Sequence, residues 1–275
     1  MDDQIVREKP FLRLDRTDGF FEFDKEQCKE LGASLHDQYV GNDPFPHIVI
    51  DNFIDPAILR RVVDEFPRRE DGRFADDFSR LKTGYTLSQI RSAYIQDMLN
   101  ALNSLYFLNF LSKMTGIKGL VSDPYFLGGG LHETARGGHL SVHADFNVHP
   151  HTKMLRRLNL ILFLNEDWEE EFGGGLELWD RDMKACQKSV LPVMARAVVF
   201  NTDSTSYHGH PDPLTCPDIR FRRSIALYYY TAAPAAAVLP HTTLFKARAG
   251  TTDKMPSFNE RVIQRVRRAL RFRMG

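Results

Sequence analysis

Seven of the ten histidines fall between positions 132 and 210: His132, His139, His143, His149, His151, His208 and His210. Histidine is the commonest protein ligand for metals, so this concentration points first to a metal site. Within it, His143-Ala-Asp145 sets an imidazole and a carboxylate two residues apart. Alternate residues of a β-strand share a face, so the two side chains would point to one place. A third donor could come from a distant histidine on an adjacent strand. Two imidazoles and one carboxylate cover one face of an octahedral ion, leave three positions open and suit Fe(II). A second H-x-D, His210-Pro-Asp212, sits in His208-Gly-His-Pro-Asp-Pro213, a turn sequence that cannot keep strand alternation. The first copy follows Gly137-Gly-His-Leu-Ser-Val142, which can. His143 and Asp145 are therefore the preferred pair.

The elements that must hold these groups differ between the two halves of the chain. The first forty residues are mixed and charged, without a clear period. Pro44-Phe-Pro-His-Ile-Val-Ile50 reads as a short buried strand entered from a stiff loop. Asp55-Pro56 is an N-cap followed by proline at the first helical position. Ile58, Leu59, Val62, Val63 and Phe66 then repeat with helical spacing, up to the stop at Pro67. Residues 68–77 are mostly charged and predict a solvated loop, and a second helical region spans about Ile95 to Met114. From about 120, glycine pairs and triplets separate short apolar runs: Leu158–Leu164, Leu176–Trp179, Ala197–Phe200 and Ile225–Tyr230. That texture predicts an all-β sandwich or barrel. His241–Phe245 could add one more strand, and residues 258–273, with six arginines, read as an amphipathic helix. Gly173-Gly-Gly175 predicts a strand-entry turn, since it lacks the helix and Lys-Ser/Thr that a phosphate loop needs.

Bulk properties narrow the function classes. At 275 residues the chain can bury a core without disulfides or structural metals. Thirty-six basic residues balance thirty-six acidic ones, which excludes a globally basic nucleic-acid binder. Cys28, Cys186 and Cys216 are dispersed and predict neither a disulfide framework nor a cysteine zinc site. No run approaches eighteen apolar residues, so no membrane span is expected. The polar start, Met1-Asp-Asp-Gln4, is unlike a secretory signal, and a cytoplasmic location is the expectation.

The order of features is more specific than any one of them. The H-x-D is followed by Arg156-Arg-Leu-Asn-Leu-Ile-Leu-Phe-Leu-Asn165, then Gly173-Gly-Gly-Leu-Glu-Leu-Trp179 and Val198-Val-Phe200. Tyr207-His-Gly-His-Pro211 and Arg222-Arg-Ser-Ile-Ala-Leu-Tyr-Tyr-Tyr230 complete the series. Over roughly residues 120–235 this resembles the 2-oxoglutarate- and Fe(II)-dependent oxygenases of the prolyl-4-hydroxylase-like branch. The resemblance implies a mainly β fold with α: a double-stranded β-helix (jelly-roll) core over 120–250. An N-terminal α-rich segment (1–119) would pack on it, and a basic helix would occupy 251–275. It implies His143, Asp145 and His208 as iron ligands, with His210 two residues away as the competing third ligand. Arg222, rather than Arg223, would hold the far carboxylate of 2-oxoglutarate, with Ser224 completing an R-x-S clamp. Some relatives add a tyrosine on the strand where this chain has Phe163, and Asn159 on the same strand is the expected substitute.

The resemblance further implies Fe(II), with 2-oxoglutarate and O2 as co-substrates. The reaction would hydroxylate an unactivated C–H bond of an unidentified small-molecule or peptidyl substrate and release succinate and CO2. Desaturation or epimerisation on the same iron is the enzymatic alternative. A non-catalytic jelly-roll binding module is the alternative from another class, and the complete ligand set with its R-x-S argues against it. No nucleic-acid partner is expected.

Overall fold

Each of the four apolar runs becomes a strand of one of two antiparallel sheets in a computed structural model, which describes residues 9–74, 77–233 and 238–253. The major sheet runs, in spatial order, His47–Ile50, Ala197–Asn201, Leu155–Phe163, Arg222–Thr231, Gly130–Thr134, Lys82–Tyr85 and Arg73–Phe74. The short strand Val121–Ser122 also pairs along Arg222–Thr231. The minor sheet runs Cys186–Val190, Leu176–Trp179, His208–His210, Leu140–Ala144 and Leu244–Phe245.

Both faces of the central strand Leu155–Phe163 pack against other layers toward its end, which is why Leu160–Phe163 is apolar throughout rather than alternating. Ile161 and Phe163 face inward with Val198 and Phe200, against Leu176, Leu178 and Val190 of the minor sheet. Leu158, Leu160 and Leu162 face outward beside Val199, Leu227 and Tyr229, beneath a helical layer. Fully burying each such side chain contributes roughly 1.5–3 kcal/mol.

The helices covering that outer face are defined by their caps. Asp55 accepts the Ala57 N–H at 2.8 Å and Pro56 starts the helix Pro56–Asp64, which buries Leu59 and Val62. The expected single helical region from 95 to 114 is two helices, Ala93–Ala101 and Leu105–Thr115. Ser92 caps the first, and Ser104 accepts the Phe107 N–H to begin the second. An internal N-cap residue thus restarts the helix and redirects it. The first forty residues, where no period is legible, hold the hairpin Leu14–Thr17/Phe20–Phe23 and the helices Lys25–Ser34 and His36–Gly41.

Among the described residues, those before 119 carry five α-helices and also supply strands. His47–Ile50, Lys82–Tyr85 and Arg73–Phe74 are built into the major sheet, pairing with Ala197–Asn201 on one side and Gly130–Thr134 on the other. Strands from before residue 119 thus extend the major sheet at both ends. Part of the expected charged loop at 68–77 is the strand Arg73–Phe74. The expected helix over 258–273 lies outside the described residues. Among the described residues, no helix is long and apolar enough to cross a membrane.

Candidate active site

His143 and His208 face each other across the minor sheet, directly paired between Leu140–Ala144 and His208–His210. Asp145 follows the first strand by one residue. One ligand atom from each of His143, Asp145 and His208 lies within 4.8 Å of the others, the only such His/Cys/Asp/Glu group among the described residues. His143 Nε2 is 3.6 Å from Asp145 Oδ1, and His208 Nε2 is 3.4 Å from Oδ2. Each imidazole is turned by a backbone carbonyl two residues upstream: Ser141 O lies 2.8 Å from His143 Nδ1, and Ser206 O lies 3.0 Å from His208 Nδ1. The carbonyls require N–H at Nδ1, which leaves both Nε2 lone pairs aimed at the carboxylate. Burial pulls the His208 ring down to about 4, reinforced by His143 and opposed by Asp145, so it is a neutral donor. Gly209 permits this register, because a Cβ there would sit 2.8 Å from Leu140 O and 3.0 Å from Ser141 O.

Burial alone would favour the neutral acid at Asp145. The Arg156 guanidinium, followed by His208 and His143, outweighs it and holds the group well below the usual carboxylate range. Arg156 is almost completely buried. Its Nη2 lies 3.0 Å from Asp145 Oδ2, and Nε and Nη2 donate to Asn159 Oδ1 at 3.0 and 2.6 Å. Its guanidinium stacks 3.4 Å from the Tyr228 ring centroid. Asn159 Nδ2 in turn donates to Asp145 Oδ2 at 2.7 Å. One carboxylate oxygen is thus held by two donors. Two imidazoles and an ionised carboxylate, each fixed from behind, are a donor set that fits Fe(II).

Sequence reasoning missed Arg156. Counting back from Asn159 by twos reaches Arg157, but a register shift beside Tyr229/Tyr230 pairs Tyr229 with Leu158 and Tyr230 with Arg156. That irregularity skips Arg157 and turns Arg156 inward, and no local signal announces it. Asn159 itself is brought to Asp145 and Arg156, not to Arg222. It pairs with Tyr228, six positions along the same strand from Arg222.

Arg222 and Ser224 are buried and share the inward face of Arg222–Thr231, where Ser224 lies between Phe163 and His132 on the flanking strands. Arg222 Nε donates to Gly174 O at 2.6 Å, and its guanidinium lies 5.0 Å from the Phe163 ring centroid. Burial, with no acid to offset it, pulls this guanidinium down to about 9. Gly174 has φ +73°, and a Cβ there would come within 2.5 Å of Leu214 Cδ2 and 2.9 Å of Arg222 Cδ. The glycine run therefore does more than turn the chain: it presses backbone onto the arginine. Arg223 points the other way, with Nε 2.9 Å from Glu133 Oε2 and its guanidinium against Phe66.

The remaining histidines divide. His132 and His210 are buried in the same inter-sheet space. Burial, then Lys82 and Arg222, keeps His132 well below its usual range; burial, then Arg222 and Lys82, does the same for His210. His149 braces a loop: Nδ1 accepts the His151 and Thr152 N–H groups, and Nε2 lies 3.3 Å from Asp123. His139 is half-buried.

The family model described as "2OG-Fe(II) oxygenase superfamily" matches residues 129–230, the segment that holds His143, Asp145, Arg156, Asn159, His208 and Arg222. A mouse protein described as prolyl 3-hydroxylase OGFOD1 is 26% identical over 194 residues, 68% of this chain. The chain spans about a third of that relative's length (33%). Among solved structures, a Pseudomonas putida prolyl-4-hydroxylase superposes with a TM-score of 0.54 at 18% identity, covering 74% of this chain and all of its own (100%). A Trichoplax adhaerens prolyl hydroxylase, solved with a hypoxia inducible factor oxygen degradation domain peptide fragment, superposes with a TM-score of 0.52 at 16% identity. It covers 74% of this chain and 91% of its own. These two likenesses establish the jelly-roll fold. Over residues 129–230 the chain is thus similar to the 2-oxoglutarate- and Fe(II)-dependent oxygenases, and it shares its fold with prolyl hydroxylases.

Proposed function

We propose that this protein is a 2-oxoglutarate-dependent hydroxylase in which His143, Asp145 and His208 hold Fe(II) and Arg222, with Ser224 beside it, holds 2-oxoglutarate. One observation carries the reading: a three-donor cluster with an ionised carboxylate shares its inter-sheet space with a buried arginine that has no acidic partner among the described residues. A carboxylate ligand is what such an arginine lacks, and its planar fork pairs bidentately with one. When bound, Fe(II), 2-oxoglutarate and O2 supply the oxidising chemistry, giving succinate and CO2 as one atom of oxygen enters a C–H bond.

The chain's own residues do the rest. The Ser141 and Ser206 carbonyls orient the imidazoles, and Arg156 and Asn159 keep Asp145 ionised and limit its rotation. Phe163, Phe200 and Leu178 keep water from the space between the sheets. Prolyl residues of a peptide or protein are the first substrate class to test, because the similar proteins are described as prolyl hydroxylases. A cytoplasmic setting fits the three free cysteines, Cys28, Cys186 and Cys216.

The test is a screen of Fe(II)-loaded protein against prolyl peptides, free amino acids and sugars. It is scored by succinate above the uncoupled background and by gain of one oxygen in the acceptor. Coupled turnover with a prolyl peptide is the expected result. Coupling only to another class would replace the substrate assignment, and failure to bind 2-oxoglutarate would end the oxygenase reading.

A further inference from the structure

Around Arg222 the inter-sheet space is rich in donors and lacks a matching acceptor. Its guanidinium spends Nε on Gly174 O, and the ring beneath it, Phe163, offers no oxygen. His210 stands on the facing sheet at 3% exposure, and neither of its ring nitrogens has a hydrogen-bond partner. An imidazole carries at least one N–H that needs an acceptor. Leaving it unmade in a dry site forfeits a full hydrogen bond, so such a group in a native fold calls for an explanation. His210 is not in the cluster of converging ligand atoms formed by His143, Asp145 and His208. The segment that follows it folds back on the arginine, because Leu214 and Arg222 meet over Gly174. Ser224 and His132, opposite one another on the major sheet, add further polar groups to the same wall. A cation, an imidazole and a hydroxyl around one space match the several lone pairs of a carboxylate.

We propose that His210 donates an N–H to the far carboxylate of 2-oxoglutarate, sharing it with Arg222. His210 thereby selects a dicarboxylic keto acid over one without the second carboxylate. This rests on the co-substrate reading above and adds to it a residue that determines specificity.

The test compares 2-oxoglutarate and pyruvate binding to Mn(II)-loaded protein by calorimetry. Wild type is set beside His210→Leu, which removes the donor, and His210→Asn and His210→Gln, whose amides stand near Nδ1 and Nε2. His210→Leu should weaken 2-oxoglutarate about ten- to a hundredfold, the worth of a hydrogen bond to a charged group. Pyruvate and Mn(II) affinities should not change, and at least one amide variant should recover part of the loss. The His210→Leu protein without co-substrate should melt no lower than wild type, since it replaces an unsatisfied buried group with an apolar one. Unchanged 2-oxoglutarate binding in His210→Leu, equal loss of both keto acids, or loss of Mn(II) would each overturn the proposal. If wild type itself fails to bind 2-oxoglutarate, the functional reading falls and this inference with it. A competent wild type with an unaffected His210→Leu sinks the inference alone.

Discussion

Replacing Arg222 with methionine should stabilise the protein that has no co-substrate while destroying co-substrate binding. The guanidinium is buried, and burial alone pulls it far down from the ordinary arginine range, to about 9. That drop corresponds to about 5 kcal/mol of lost solvation. Because the folded value is lowered and the group is a base, the full cost is present below about pH 9. It is relieved as pH rises from there toward the ordinary arginine range, where the unfolded chain binds the extra proton. At neutral pH the cost is complete. The bond to Gly174 O and the contact with Phe163 return about 2–3 kcal/mol. Methionine keeps the apolar stem, so Arg222→Met should gain about 1–3 kcal/mol, within the range for apolar replacement of buried charge. Thermal melts should rise by a few degrees, at about 2–4 °C per kcal/mol for a chain of this size. Excess 2-oxoglutarate with Mn(II) should raise the wild-type melting temperature and leave that of Arg222→Met where Mn(II) alone puts it. Arg223→Ala, on the opposite face and paired with Glu133, should retain the 2-oxoglutarate response. The reasoning is refuted if Arg222→Met melts below wild type, which would make the arginine a strut, or if it keeps the co-substrate shift.

Three further outcomes test the metal site and its supports. His143→Ala, Asp145→Ala and His208→Ala should each abolish tight binding of one Fe(II) in an anaerobic titration, because two donors remain of three. Arg156→Met should destabilise the protein by about 3–5 kcal/mol, since it leaves a buried carboxylate unpaired, and should weaken Mn(II) binding; denaturant melts and metal titration check both. Gly174→Ala should lower 2-oxoglutarate affinity while leaving Mn(II) affinity intact, because a Cβ there displaces Arg222 and not the ligands; calorimetry separates the two.

Much of the site is legible in the chain because its spacing is local. Residues two apart on a strand share a face, so Arg222 and Ser224 could be paired, and Arg223 set aside, without coordinates. Apolar runs mark Leu176–Trp179 and parts of Ala197–Asn201, Leu155–Phe163 and Arg222–Thr231 because burial there leaves little room for polar residues. What only the tertiary structure decides is everything that depends on a register or on a contact distant in sequence. The shift at Tyr229/Tyr230 turns Arg156 rather than Arg157 toward Asp145. The Gly174 carbonyl reaches Arg222 across 48 residues. His47–Ile50 and Lys82–Tyr85 join a sheet whose central strands come much later in the chain, and the short helices of the first forty residues are held by packing rather than by their own periodicity. The physical reason is common to all of these. Side-chain alternation and capping are properties of neighbouring residues, whereas pairing register and buried charge balance depend on which distant strand arrives alongside.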